Sequence, residues 1–216
     1  MCNLYTTRAT PADIAAAFGA QMPTAFNAGA GEVYPGGIGM IVREEQGERI
    51  VDAMTWGWPL PQKSKKTGLP NKPKPVNNMR ELAKFPWRLI ADRPDRRCII
   101  PMTGFCEAEG ETGAKTRTWF SVKDRPIFAW AGMWDDSHEW GRWYSGLMTE
   151  CNQVVRPVHD RMPVLLHDED IDTWLNGTLD DVLAFQGRCF PDELTLMERT
   201  ADPWFRRKES APAMPA

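Results

Sequence analysis

Four stretches decide the fold: CIIPMTGFCEA at 98–108, TRTWFSVK at 116–123, PIFAWAGMW at 126–134 and RWYSGLMTE at 142–150. Each is short and rich in aromatic or β-branched residues, and turn residues separate each from the next. That spacing predicts a mainly antiparallel sheet folded over itself. Working outward, residues 32–43 end in an apolar run, and ERIVDAMTWGW at 48–58 alternates as its antiparallel partner. TPADIAAAFGA at 10–20 reads as a short helix, with Thr10 as N-cap, Pro11 in the first turn and Gly19 as C-cap. Arg80–Ile90 reads as a second helix, interrupted or restarted at Pro86. After Met162–Leu166 the pattern becomes helical over Asp168–Leu175 and Leu179–Gln186. Gln62–Val76, full of Lys and Pro without periodicity, reads as an exposed loop. The stretch after Pro203 reads as a loose polar tail. No repeat or linker divides the chain. The expectation is one α+β domain over 1–216, with a core at about 1–190.

The chain has 216 residues, 42% of them apolar and 25% charged, which excludes disordered and collagen-like classes. Mean hydropathy is −0.46, and no run of 18 apolar residues predicts a membrane span. The start, MCNLYTTRAT, lacks the basic and apolar regions of a secretory signal. Five cysteines, an odd number without CxxC spacing, predict a reduced protein with neither a disulfide framework nor a zinc site. Net charge is −3, yet Gln62–Arg97 holds eleven Lys/Arg against three acids. That segment is +8 and the remainder −11. Charge so segregated focuses a positive potential on one face of an acidic molecule. Ten tryptophans are more than a core of this size needs, which leaves some for recognition.

Four places carry candidate chemistry. Cys2 becomes the first residue if Met1 is removed, as happens when the second residue is small. Its amine and thiol then form a 1,2-aminothiol, which condenses with an aldehyde to an imine and closes to a thiazolidine. The α-amine has an ordinary pKa of about 7.7–8.0, so part of it is unprotonated near neutrality. Asn77-Asn78-Met79-Arg80-Glu81 sets two amides and a guanidinium in the basic segment. Gly104-Phe105-Cys106-Glu107 ends a buried-looking strand with an acid, where burial raises a carboxyl pKa toward the proton-transfer range. Val158-His159-Asp160-Arg161-Met162-Pro163 sets a His and an Arg before an apolar strand. Each alone fits a structural role as readily as a chemical one, whereas His138 and His167 read as solvated surface.

In order, these segments resemble the SRAP family, the SOS response-associated peptidases or abasic-site processing proteins. The resemblance runs from Met1-Cys2 through Trp56-Gly57, Asn78-Met79-Arg80-Glu81, Arg97–Pro101, Gly104-Phe105, Glu107 and Asn152 to His159-Asp160-Arg161-Met162-Pro163. It implies a compact α+β fold with a barrel-like sheet and flanking helices. It also implies a covalent thiazolidine crosslink between Cys2 and abasic sites in single-stranded DNA, after Met1 is removed by self-processing or an aminopeptidase. In the reaction so implied, Asn78 positions, Glu107 and His159 move protons, and Arg80 and Arg161 bind phosphate. The resemblance sets Trp56-Gly57 beside the DNA path, and exposed tryptophans such as Trp56 or Trp58 are the expected surfaces for stacking on unpaired bases. No cofactor and no metal is implied, and the expected protein is a cytoplasmic monomer that joins the nucleoid when it acts on DNA. The chain departs from the family pattern at Asn3-Leu4, at Trp58-Pro59 and at Ala108. Two other classes stay open on the residues alone. One is a cysteine hydrolase using Cys106 or Cys151 with His159. The other is a single-strand binding module that forms no adduct.

Overall fold

The structure is a computed structural model that describes residues 2–22 and 28–204. In chain order its elements are β1 (Tyr5–Thr7), α1 (Pro11–Phe18), β2 (Gly31–Val33), β3 (Ile38–Glu45), β4 (Glu48–Trp56), β5 (Trp58–Lys63), β6 (Pro70–Val76) and β7 (Asn78–Met79). These are followed by α2 (Trp87–Ala91), β8 (Arg97–Met102), β9 (Gly104–Glu109), β10 (Thr116–Val122), β11 (Phe128–Ser137) and β12 (Gly141–Glu150). The last are β13 (Arg161–Pro163), β14 (Leu165–Leu166), α3 (Ile171–Asn176), α4 (Leu179–Phe185) and β15 (Thr195–Pro203).

The larger sheet closes on itself. Strands run β12-β4-β3-β8-β11, and β11 pairs again with β12 from Gly132↔Gly146 to Ser137↔Gly141. All these pairings are antiparallel except β12 with β4, where Trp143 faces Thr55. The barrel-like sheet implied by the resemblance is therefore present. Period-2 alternation sorts its side chains into two cores. Met40, Val42, Ile99, Ala131, Trp143 and Leu147 pack with Ile14, Phe18, Trp174 and Phe185 of the helices, so this is the outer face. Their neighbours Ile41, Cys98, Ile100, Trp130, Tyr144 and Met148 point the other way and cluster with Tyr5, Trp56, Phe105 and Phe120. Two glycines make room inside. A Cβ on Gly146 would lie 1.9 Å from the Trp130 ring, and one on Gly39 would lie 2.0 Å from the Tyr144 hydroxyl.

The second sheet, in order β15-β10-β9-β1-β2, is antiparallel and joins the barrel at a corner. Only Thr103 separates β8 of the barrel from β9, and its N–H bonds the Thr6 carbonyl at 2.8 Å. The N-terminal strand is thereby fixed beside β9, with Tyr5 opposite Phe105. Tyr5 anchors that strand from below. Its ring meets Trp56 and Trp130 edge-on at 5.0 and 6.1 Å, and its hydroxyl shares a 2.5 Å hydrogen bond with Tyr144. Each such aromatic pair adds about 0.5–1.5 kcal/mol beyond area burial.

Helix α1 forms as its sequence predicts. The Thr10 hydroxyl accepts from the Asp13 N–H, the Asp13 carboxylate accepts from the Thr10 N–H at 2.9 Å, and Gly19 closes the end at φ 59°. Three expectations are corrected. Gln62–Val76 is not a loop: β5 and β6 pair as a two-stranded ribbon with Pro59 opposite Pro75. Both strands of a ribbon are edges, so a missing proline N–H is tolerated. The helix expected over Arg80–Ile90 begins only at Trp87, because Pro86 ends the preceding turns. Last, β15 carries the sheet to Pro203, past the core limit expected near residue 190. The tail expected after Pro203 lies, from residue 205, outside the described residues. Among the described residues, no helix is long and apolar enough to cross a membrane.

Candidate active site

Cys2 lies at the start of the strand that Tyr5 anchors, and it is fully buried. Its thiol packs in the inner core and reaches the Leu4 carbonyl at 3.4 Å, and its backbone is held by two amides. The Asn77 Nδ2 donates to the Cys2 carbonyl at 2.8 Å, and the Asn78 Nδ2 donates to the same oxygen at 2.7 Å. Asn77 also reaches the Asn3 Oδ1 at 3.3 Å. The Asn78 amide is fixed by β7, whose parallel pairing sets Asn78 opposite Gly146 of the barrel. Its Oδ1 is buried with no hydrogen-bond partner among the described residues. Asn77 thus shares the hold on Cys2 with the neighbour that the sequence reading singled out. The signal was present in the Asn-Asn doublet.

Glu107 sits on β9 with the Cys106 N–H bonded to the Leu4 carbonyl at 2.9 Å, so acid and N-terminal strand share one ladder. Glu107 is 3% exposed. Burial pushes its pKa up to about 7, and the negative charge of Asp160 adds to the rise. Burial also raises the Cys2 thiol well above its ordinary value, with the nearby Glu107 charge acting in the same direction.

His159 comes from the segment between β12 and β13. Asn152, itself buried, organises that segment: its Nδ2 donates to the Phe190 carbonyl at 2.9 Å and its Oδ1 accepts from the Val155 N–H at 3.0 Å. The His159 N–H then bonds the Val155 carbonyl at 3.0 Å. The ring Nδ1 meets one donor, the Arg161 N–H at 3.0 Å, and two acceptors, the Arg161 carbonyl at 3.2 Å and the Asp160 Oδ1 at 3.1 Å. Burial lowers the pKa of the ring, the Arg80 charge lowers it further and Asp160 opposes them. Neutral imidazole is thus the main form at pH 7. His159 and Glu107 line one cleft of about 710 Å³, together with Asn3, Ala108 and the turn after β9.

The remaining sequence-predicted residues divide. Arg80 is exposed and Arg161 half-buried, and their charges act on His159 and Glu81, so both lie at this end of the molecule. Trp56 is corrected: it is 0% exposed, so it offers no ring face to a base. Its Nε1 instead donates to the Asn77 carbonyl at 3.1 Å, tying the barrel core to the doublet that holds Cys2. Trp58 is half-buried and meets Trp87 edge-on at 5.8 Å. Cys106 and Cys151 are both buried, and burial raises both thiols, Cys106 to about 12. Among the described residues, no group of three or more His, Cys, Asp or Glu is placed to hold a metal ion.

The family model described as SOS response associated peptidase (SRAP) matches residues 1–198. Two Bacillus subtilis proteins named abasic site processing proteins are similar in sequence. YobE is 30% identical over 111 residues, and YoqW is 32% identical over 108. The first alignment covers 48% of this chain and 49% of the relative, the second 48% of each, so the chain spans about half the length of the curated relatives it matches. Two crystal structures share the fold. A Bacteroides thetaiotaomicron protein aligns with TM-score 0.72 at 22% identity, covering 92% of this chain and 91% of that one. A Bordetella bronchiseptica protein aligns with TM-score 0.73 at 21% identity, covering 92% and 99%.

Proposed function

The chain belongs to the SOS response associated peptidase family, and from that premise we propose that it captures abasic sites in single-stranded DNA as a thiazolidine on Cys2. The observation that carries the reading is the double amide hold on the Cys2 carbonyl, beside a buried acid with a pKa of about 7. Hydrolysis of the Met1–Cys2 bond, by self-processing or an aminopeptidase, frees the α-amine. The partner-less Asn78 Oδ1 is an acceptor for that amine.

The abasic sugar reacts as its ring-opened C1′ aldehyde. His159, neutral at pH 7, takes the proton of the C1′ hydroxyl and passes it to the ring oxygen as the C1′–O4′ bond breaks, so the imidazole ends the step neutral. Glu107, partly ionised near neutrality, takes a proton from the Cys2 ammonium. The amine adds to C1′, and the carbinolamine loses water to give the imine, with protonated Glu107 supplying the proton that leaves with hydroxide. The Cys2 sulfur then adds to C1′ while its proton passes to nitrogen. Aldehyde and aminothiol become thiazolidine and one water. The same imine is the species from which the 3′ phosphate would be eliminated, so rapid ring closure protects the strand. Arg80 and Arg161 contact phosphates on either side of the lesion. Trp58, which keeps part of its surface exposed, is the tryptophan assigned to the strand.

Mass spectrometry of the protein incubated with an abasic oligonucleotide tests the reading. The expected product weighs the protein without Met1, plus the oligonucleotide, minus water. Cys2→Ala should give no adduct that survives heat and denaturant, although borohydride should still trap its imine. If Cys2→Ala crosslinks like the wild type while Cys106→Ala does not, chemistry centred on Cys106 replaces this one.

A further inference from the structure

The cleft is larger than the reaction needs. A sugar without its base fills a small part of about 710 Å³, a size in the range of sites for whole nucleotides and drug-sized ligands. From Glu107 and His159 the cleft continues past Ala108 to Gly113, Ala114 and Lys115, and ends against Ala201, Pro203 and Trp204 at the end of β15. Between its ends the cleft is lined by Ala108, Thr112, Gly113 and Ala114, all with small side chains or none. Its far end is built from two strands. Thr116 of β10 pairs with Pro203 of β15, and the Trp204 N–H bonds the Lys115 carbonyl at 2.8 Å. Trp204 is half-buried and Lys115 exposed, and Lys115 is the one lysine or arginine among the described residues that line the cleft.

We propose that this far end is a stacking subsite, in which Trp204 takes the base of a nucleotide flanking the lesion and Lys115 its phosphate. The inference rests on the reading that the strand reacts at Cys2. An indole stacks on every base, because every base has a π-face, so the subsite carries no sequence preference. An ammonium on a flexible stem meets phosphate as a point charge without fixing its geometry. The family match ends at residue 198, so Ala201, Pro203 and Trp204 lie outside what that match covers.

The test is fluorescence anisotropy with labelled single strands carrying an unreactive tetrahydrofuran lesion, which separates binding from covalent capture. A second and a third strand lack the base of the nucleotide 5′ or 3′ of the lesion. Wild-type protein should bind one of these about 10-fold more weakly than the complete strand. Trp204→Ala should show that same loss on the complete strand and no further loss on the base-deleted one, and Trp204→Phe should restore most of the binding. Lys115→Ala should lower the slope of log K against log salt by about 0.7. Trp204→Leu, which keeps bulk at the strand end, replaces the alanine variant if circular dichroism shows that variant unfolded. Equal losses on all three strands, or no loss at all, overturn the subsite. A wild type that captures a reactive abasic strand yet ignores the flanking base overturns the subsite alone. A wild type that binds no strand overturns the subsite and the proposed function together.

Discussion

Replacing Glu107 by Gln should make the protein more stable and less active at once. Glu107 is 3% exposed, and its pKa rises from an ordinary 4.5 to about 7 because burial penalises the carboxylate. At 1.36 kcal/mol per pKa unit, the ionised form costs the folded state about 3 kcal/mol. Below pH 4.5 the acid is neutral in both folded and unfolded chains, and that cost is absent. Between 4.5 and 7 the folded state holds its proton more tightly than the unfolded state, so wild-type stability falls as pH rises through this window. Glutamine has the same shape and never ionises. In urea unfolding, the gap in stability between Glu107→Gln and wild type should be near zero at pH 4.5 and grow to about 3 kcal/mol in favour of the variant by pH 8. Adduct formation at neutral pH should nevertheless slow by about 10²-fold, the usual worth of a positioned acid or base. A gap that does not change with pH would refute the assignment of a buried, high-pKa acid. A variant that is more stable and equally fast would leave Glu107 without its proton-transfer role.

His159→Ala should also slow adduct formation by about 10²-fold while leaving affinity for an undamaged strand unchanged, and a parallel fall in both would mark the histidine as structural. Arg80→Ala and Arg161→Ala should each reduce the slope of log K against log salt by about 0.7 in titrations with an unreactive lesion. A combined Lys63, Lys65 and Lys66 to alanine variant should do so less, and unchanged slopes for both arginines would move the phosphates elsewhere. Gly146→Ala forces a Cβ to 1.9 Å from the Trp130 ring, inside a closed barrel with no slack. Denaturant unfolding should show a loss of about 1–3 kcal/mol, and wild-type stability would mean the barrel relaxes there at no cost.

Much of this was legible because the signal is local. PIFAWAGMW alternates between two packed faces, TRTWFSVK sends Phe120 and Val122 to one core, and the helix at Thr10–Gly19 carries both its caps in sequence. The edge strand β15 was not legible: only Thr195 of its nine residues is buried, so TLMERTADP has no period to read. The ribbon at 58–76 was hidden by its prolines, which argue against strand wherever the N–H is needed. Trp56 was misplaced because composition counts tryptophans without locating them, and its burial depends on Tyr5 and Trp130 from distant strands. In the site, residue types alone offered Cys2, the two amides, Glu107 and His159 only as candidates, and the ordered resemblance to the family singled out Cys2, Asn78, Glu107 and His159. The share of Asn77 in holding Cys2 needed the register of β7 against β12.

The two asparagines hold an oxygen that every amino acid possesses. Position 2 is therefore addressed through the main chain, while its thiol packs in the inner core and reaches the Leu4 carbonyl at 3.4 Å. The arrangement works as a holder with an exchangeable tool: serine at this position would be presented in the same place, offering a hydroxyl where the thiol had been and closing an oxazolidine in place of a thiazolidine. On the proposed reaction, how long a captured strand stays bound would be set by one atom, sulfur or oxygen, while the scaffold that presents it stays the same. Permanence of the bond and recognition of the lesion would then be separately adjustable properties.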